Sequence, residues 1–276
     1  MSVIDCHHHF WKFGKRAQKF PPAVGTRLDR DYLPEDLRPH LIKTGIDRTI
    51  LVQVLHEIDE TNEFLDLSRE IDYVAGVVGW VPLADPNVAD ILATLAQQTH
   101  FKGVRHVVQG EPDPEFLERP AFNHGIRAVT KLGLVYDLLI FARQLPSAIK
   151  FVDLHPKQVF VLDHIAKPVV QGPPPADWRR HIRELARREN VACKFSGVVT
   201  EVPGWKWTPE LLRPYFEVVL EAFGPRRLMV GSDWPVCLVA AGYTRWFEFV
   251  ESCTALLSRE ERARVLGGTA IDFYNI

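Results

Sequence analysis

The sequence predicts a single α/β domain built as a (β/α)8 barrel, distorted by a long excursion after its first strand. Three observations predict it. Strand-like runs alternate with helical patterns along the whole chain, the runs number eight, and most are continuous Val/Ile/Leu stretches. Such stretches suit parallel strands covered on both faces. The length, 276 residues, suits one large α/β domain or two smaller ones, and eight strand–helix units within it point to a single barrel of the TIM type, so residues 1–276 are expected as one unit. The competing architecture, an open doubly wound sheet, should carry a glycine-rich turn after strand one. Here that strand runs into histidines instead.

Taken in order, Val3–His9 is expected as strand one, followed by a polar excursion containing Pro21-Pro22. Thr49–Val54 is strand two, ahead of a helix over Glu60–Arg69. Tyr73–Trp80 is strand three; after it, Val88, Ile91, Leu92 and Leu95 fall at helical spacing within Val88–Gln98. Gly103–Val107 is strand four with a helix over Phe122–Lys131, and Leu134–Phe141 is strand five with a short helix over Pro146–Leu154. Gln158–Asp163 is strand six with a basic-faced helix over Trp178–Glu189. Val191–Ser196 is strand seven with a helix over Pro209–Phe223. Arg227–Gly231 is strand eight, and helices over Tyr243–Leu257 and Arg259–Leu266 close the chain.

The formal charge of −2 argues against a nucleic-acid surface or a polybasic membrane anchor. With 46% hydrophobic residues the chain has ample apolar surface to offset its conformational entropy, so disorder is excluded. Cys6, Cys193, Cys237 and Cys253 are far apart and form no CxxC pair, which disfavours disulfides and thiolate zinc sites. No apolar run approaches the ~18 residues of a membrane span. The expected setting is the cytoplasm, and the expected partner a small molecule; the oligomeric state is not legible.

In a barrel the chemistry gathers where strands end at their C-terminal edge. Strand one ends Asp5-Cys6-His7-His8-His9. Strict alternation puts Asp5, His7 and His9 on one face and turns Cys6 and His8 away. Two imidazoles converging at the mouth suit a divalent ion or a polar carbonyl. His164 follows strand six, and Asp233 follows strand eight within Gly231-Ser232-Asp233-Trp234-Pro235. A carboxylate there can take a proton from water or bind a metal. Strand four offers Arg105, whose fork of donors suits an anion or a ring oxygen, and His106 on the opposite face. Tyr136, Asp137, Lys194, Ser196, Gln53 and His56 are further polar strand ends, each divided between substrate contact and structural partner. Trp205, Trp207 and Trp234 are candidate walls of the mouth.

Five segments together resemble the amidohydrolase superfamily, and within it the lactone-hydrolysing branch known as amidohydrolase 2. They are Asp5–Trp11, Gly103–His106, Leu162–Pro168, Lys194–Gly197 and Gly231–Pro235, in this order across nearly the whole chain. The pattern is most similar to that of sugar lactonases of the L-fuconolactonase kind. The resemblance implies that His7, His9, His164 and Asp233 form the catalytic centre. It further implies either one divalent ion held by these four, zinc foremost, or direct histidine contacts to the substrate carbonyl. Strand four lacks the bridging lysine or glutamate of two-metal relatives, and strand five lacks a histidine, so a binuclear centre is not expected. Substrate contacts are expected from Arg105, His106, Tyr136, Lys167, Lys194 and Trp234.

The expected reaction is hydrolysis of a sugar-acid lactone, of the L-fuconolactone or L-rhamnonolactone kind, with Asp233 as general base. The alternatives on the same scaffold are hydrolysis of an aromatic-degradation lactone, such as a pyrone dicarboxylate or a muconolactone, and metal-dependent decarboxylation. A dicarboxylate needs several arginines. The pattern places only Arg105 at the mouth, with Arg143 near and Arg16 and Arg27 in loops, which favours a neutral polyhydroxy lactone.

Overall fold

The computed structural model describes residues 2–14 and 27–276, so Arg16 and Pro21-Pro22 of the excursion lie outside the described residues. Eight strands form one parallel sheet in chain order: β1 Ile4–His8, β2 Arg48–Val52, β3 Val74–Gly79, β4 Phe101–Val107, β5 Val135–Leu139, β6 Phe160–Leu162, β7 Val191–Phe195 and β8 Leu228–Val230. The helices between and after them are α1 Pro34–Thr44, α2 Ile58–Glu70, α3 Val88–Leu95, α4 Pro120–Lys131, α5 Leu145–Leu154, α6 Ala176–Ala186, α7 Pro209–Phe223, α8 Tyr243–Thr254, α9 Arg259–Ala263 and α10 Thr269–Tyr274. This is the expected (β/α)8 barrel. None of the helices among the described residues is long and apolar enough to cross a membrane.

The apolar faces divide into two layers. Ile4, Ile50, Val78, Val135, Val161 and Met229 face inward and form a small inner core, which Ala270 and Tyr274 of α10 close from below. The alternate residues of the strands pack outward against the helices in a much larger cluster. Buried apolar area of this kind is the main stabilising term of the fold.

The seam between β8 and β1 has no strand ladder. It is closed just past the strand ends, where the Asp233 amide donates to the His7 carbonyl at 2.8 Å and the His9 amide to the Trp234 carbonyl at 2.7 Å. The Asp5 carboxylate adds to the clamp: it accepts from the Ser232 amide at 2.8 Å, the Ser232 hydroxyl at 2.6 Å and Tyr243 of α8 at 2.9 Å.

Three expectations are corrected here. First, strict alternation fails in β1. Asp5 pairs with Thr49 but His8 with Leu51, so β1 carries one extra residue. The bulge turns Asp5 out of the barrel toward α8 and places Cys6 in the inner core, the reverse of the expected faces. His8 faces away from the mouth as expected, with its Nε2 at 2.8 Å from the Thr49 hydroxyl. Second, the excursion contains α1, which its internal Pro39 and sparse apolar positions disguise; only Leu37 and Leu41 are buried. Third, the last helix does not stop at Leu266. Gly267-Gly268 reads as a helix stop, yet the chain passes through a π-helical turn over Arg264–Gly268 into α10. Gly267 is there for close approach, since a Cβ on it would lie 2.1 Å from the Ser2 carbonyl.

Candidate active site

Six of the eight strands deliver polar side chains to the mouth of the barrel or to the layer just beneath it. His7 comes from β1 and His9 from just beyond it; Arg105 comes from β4, Asp137 from β5 and Lys194 from β7. Asp163 and His164 follow β6, and Asp233 follows β8, all of them buried.

The turn after β6 is unusual. His164, Ile165, Ala166 and Lys167 all have positive φ, at 52°, 49°, 61° and 46°. Left-handed backbone costs roughly 1–2 kcal/mol per non-glycine residue. The turn sends Ile165 and Ala166 into the core and presents His164 and Lys167 to a common cavity. The Trp178 indole N–H holds it by donating to the Ile165 carbonyl at 2.9 Å.

That cavity has a volume of about 610 Å³. His9, Arg105, His164 and Asp233 line its polar floor, Leu55, Val107, Val236 and Val239 its apolar walls, and Lys167 and Trp205 its rim. Lys167 is paired with Glu201 at 3.6 Å.

At the floor, Asp233 Oδ1 faces three imidazoles. It lies 3.3 Å from His9 Nε2, 3.7 Å from His7 Nε2 and 3.8 Å from His164 Nε2. Proton placement follows from the other ring nitrogens. His9 Nδ1 sits 2.8 Å from the Val52 carbonyl, which can only accept, so the proton is on Nδ1 and Nε2 keeps its lone pair. His7 Nε2 lies 3.1 Å from Arg105 Nη1, which can only donate. Lys194 Nζ, also a donor only, lies 3.3 Å from Nδ1, but Arg105 is nearer to Nε2 and the Asp163 carboxylate stands 3.3 Å from Nδ1, so the His7 proton is assigned to Nδ1. His164 Nδ1 is bonded to the Ser196 hydroxyl at 2.9 Å.

Burial pushes His7 well below the ordinary histidine range and His164 down to about 4, so both rings are neutral at pH 7. Burial works to raise Asp233, but the facing imidazoles, His164 first, hold it well below the usual carboxylate range. The floor thus gathers ring-nitrogen lone pairs against an anionic oxygen.

Such a donor set fits a divalent cation. One donor atom from each of His7, His164 and Asp233 lies within 4.8 Å of the others, and the Nε2 atoms of His7 and His9 are 3.3 Å apart. Two nitrogens sharing a tetrahedral zinc at about 2.0–2.1 Å would be separated by about 3.3 Å. The carboxylate behind His7 and the carbonyl behind His9 are the outer partners that orient ligating imidazoles.

Of the residues expected to touch substrate, Arg105 and Lys167 line the cavity. The other four do not, because side-chain alternation or depth removes them. His106 faces outward and stacks on His56 and Phe116, bonding Glu111 at 2.6 Å. Tyr136 points into the outer aromatic layer with Phe122, Phe151 and Phe160. Lys194 is fully buried beneath the floor, paired with Asp137 and Asp163. Trp234 is buried against Phe10 and Tyr32. Trp207 is likewise buried, and Gln53 braces Arg105 through its backbone carbonyl, which accepts from Nη2 at 2.5 Å.

Two residues of the site were not singled out by sequence. Asp163 accepts from Arg105 at 3.0 Å and stands behind His7; its position immediately before His164, after an apolar run, was the available signal. Gly197, at φ +64°, presses on the site, because a Cβ there would meet His164 Nδ1 at 2.7 Å and Asp233 Oδ2 at 2.8 Å.

Comparison with known proteins finds relatives that match this chain over nearly its whole length. The amidohydrolase family model (Amidohydro_2) matches residues 4–276. An L-fucono-1,5-lactonase of Burkholderia ambifaria is 37% identical over 279 residues, covering 99% of this chain and 95% of that protein. An L-fucono-1,5-lactonase of Burkholderia multivorans is 38% identical, covering 98% of this chain and 95% of that protein. A crystal structure of an amidohydrolase from Burkholderia multivorans with bound zinc superposes with a TM-score of 0.95 at 38% identity over the full length of both chains.

Proposed function

The chain belongs to the amidohydrolase family, and from that premise we propose that it hydrolyses a sugar-acid lactone to the open hydroxy acid. The observation that carries the reading is Asp233 set against three imidazoles on the floor of a closed-bottomed cavity. Asp233 takes a proton from a water molecule as its oxygen bonds to the lactone carbonyl carbon. The ring C–O bond then breaks, and the departing alkoxide receives the proton from Asp233. His7, His9, His164 and Asp233 are the residues that would hold a divalent ion, zinc by donor type; when bound it supplies Lewis-acid polarisation of the carbonyl. Arg105, braced by Asp163 and Gln53, fixes His7 and adds positive field at the developing oxyanion.

The lining favours a neutral substrate. Arg105 and Lys167 are its only cations among the described residues, and each is already paired with a carboxylate. A dicarboxylate would leave an unmatched charge. Relatives that act on L-fucono-1,5-lactone suggest a deoxy-sugar lactone, whose methyl group matches the apolar wall of Leu55, Val107 and Val236. A panel of aldonolactones and aromatic-derived lactones, followed with a pH indicator, tests the reading. Acid release from sugar lactones is expected; opening of none of them overturns it.

Two further results are expected. The acid limb of kcat/KM should fall below about pH 5, because burial holds His164 down to about 4 and His7 well below the ordinary histidine range, rather than near the ~6.5 of a solvated histidine. As pH drops through that range the imidazoles gain protons, lose their lone pairs and activity disappears; a limb centred near 6.5 would contradict the burial argument. Zinc added to chelator-treated protein should raise Tm by several degrees, since a ligand at a hundred times its Kd stabilises by about 2.7 kcal/mol. His164→Ala should abolish that shift, and an unchanged Tm in the unmutated protein would remove the metal.

A further inference from the structure

We propose that Tyr274, on α10 beneath the barrel, is a positioning residue for His7, acting through Asp137 and Lys194. The claim rests on the lactonase reading for its kinetic test but not for its geometry. The Tyr274 hydroxyl donates to Asp137 Oδ1 at 2.7 Å. The other Asp137 oxygen accepts from Lys194 Nζ. That ammonium lies 3.1 Å from Asp163 Oδ1 and 3.3 Å from His7 Nδ1, and the Tyr274 ring sits 5.3 Å from it. Tyr274, Asp137, Lys194, Asp163 and His7 are all buried, so a continuous polar ladder runs from the C-terminal helix to a floor imidazole.

Burial makes each rung consequential. No water can replace the phenol hydroxyl, so its removal leaves Asp137 Oδ1 without a donor. Asp137 is then free to turn, and Lys194 moves with it. Because the Lys194 ammonium is ion-paired with Asp163 Oδ1, the same oxygen that faces His7 Nδ1, its displacement alters how Asp163 meets His7. The direction of His7 Nε2 toward Asp233 depends on that contact. α10 is itself a firm base. The Asn275 carbonyl accepts from Lys102 at 2.8 Å, and Gly267 packs against Ser2 just before the helix. Tyr274 does not line the cavity, so substrate affinity should be insensitive to it.

The experiment compares Tyr274→Phe with Tyr215→Phe, a buried phenol whose hydroxyl bonds the Gly172 carbonyl at 3.1 Å in the outer layer. Steady-state kinetics are measured on the lactone that the unmutated enzyme opens fastest. The ring nitrogens of His7 are followed by NMR in protein labelled with 15N-histidine. For Tyr274→Phe, kcat is expected to fall about tenfold with KM within about twofold, and the His7 signals to move. Tyr215→Phe should change neither. Equal kcat in the two variants, a loss confined to KM, or unmoved His7 signals would overturn the proposal. If the unmutated protein opens no lactone, the functional reading fails and the NMR signals alone decide this one. If Tyr274→Phe does not fold, Asp137→Asn, which keeps the side-chain shape and weakens its hold on Lys194, takes both readouts with the same criteria.

Discussion

Replacing Asp233 with Asn should lower kcat by about 10²–10⁴, the usual worth of a positioned general base, while leaving the fold intact. The substitution is a clean probe for a backbone reason. Asp233 sits at φ 59°, a left-handed conformation that asparagine tolerates as well as aspartate. Asparagine also preserves the amide that closes the seam onto the His7 carbonyl. What changes is the anionic oxygen that faces His7, His9 and His164, and the capacity to accept a proton. Circular dichroism and Tm close to those of the parent, with turnover lost, would place the defect in chemistry. Near-normal turnover would remove Asp233 as the base.

A comparable loss is expected from Gly197→Ala, at a position that contributes no functional group. A methyl there would stand 2.7 Å from His164 Nδ1 and 2.8 Å from Asp233 Oδ2, distances that force one or both to move. Misplacement of reacting groups by about 1 Å can cost about 10²-fold. The positive φ adds a backbone penalty of roughly 1–2 kcal/mol. Gly133→Ala separates the two effects, because Gly133 has φ +67° and nothing within 4 Å of its absent Cβ. It should lower Tm by a similar backbone penalty and keep full activity. If Gly197→Ala retains activity as Gly133→Ala does, the close approach has no functional weight.

The barrel and the ends of its strands were legible because an apolar run that stops at His, Asp or Arg marks both the sheet and its polar rim. His7, His9, His164 and Asp233 were found in this way, and the structure brings them together. What escaped was set by contacts between segments. The β1 bulge depends on pairing with β2, so the exchange of faces by Asp5 and Cys6 left no mark in local periodicity. Tyr136 and Asp137 are equally polar neighbours in sequence, but only the inward one joins the polar ladder. Lys194 looks like a substrate contact until Asp137 and Asp163 are seen on either side of it. α10 was hidden by a glycine pair whose first member, Gly267, serves packing against Ser2 rather than termination.

The clamp joining residues 5–9 to residues 231–235 has a consequence for how the enzyme comes into being. The reactive centre draws on segments more than two hundred positions apart, and the bonds that shut the cylinder are made by the same stretch of backbone that carries His7, His9 and Asp233. Contacts of such long range are slow to form. A nascent or partly assembled chain therefore holds no working fragment of the catalyst, and competence arrives together with closure.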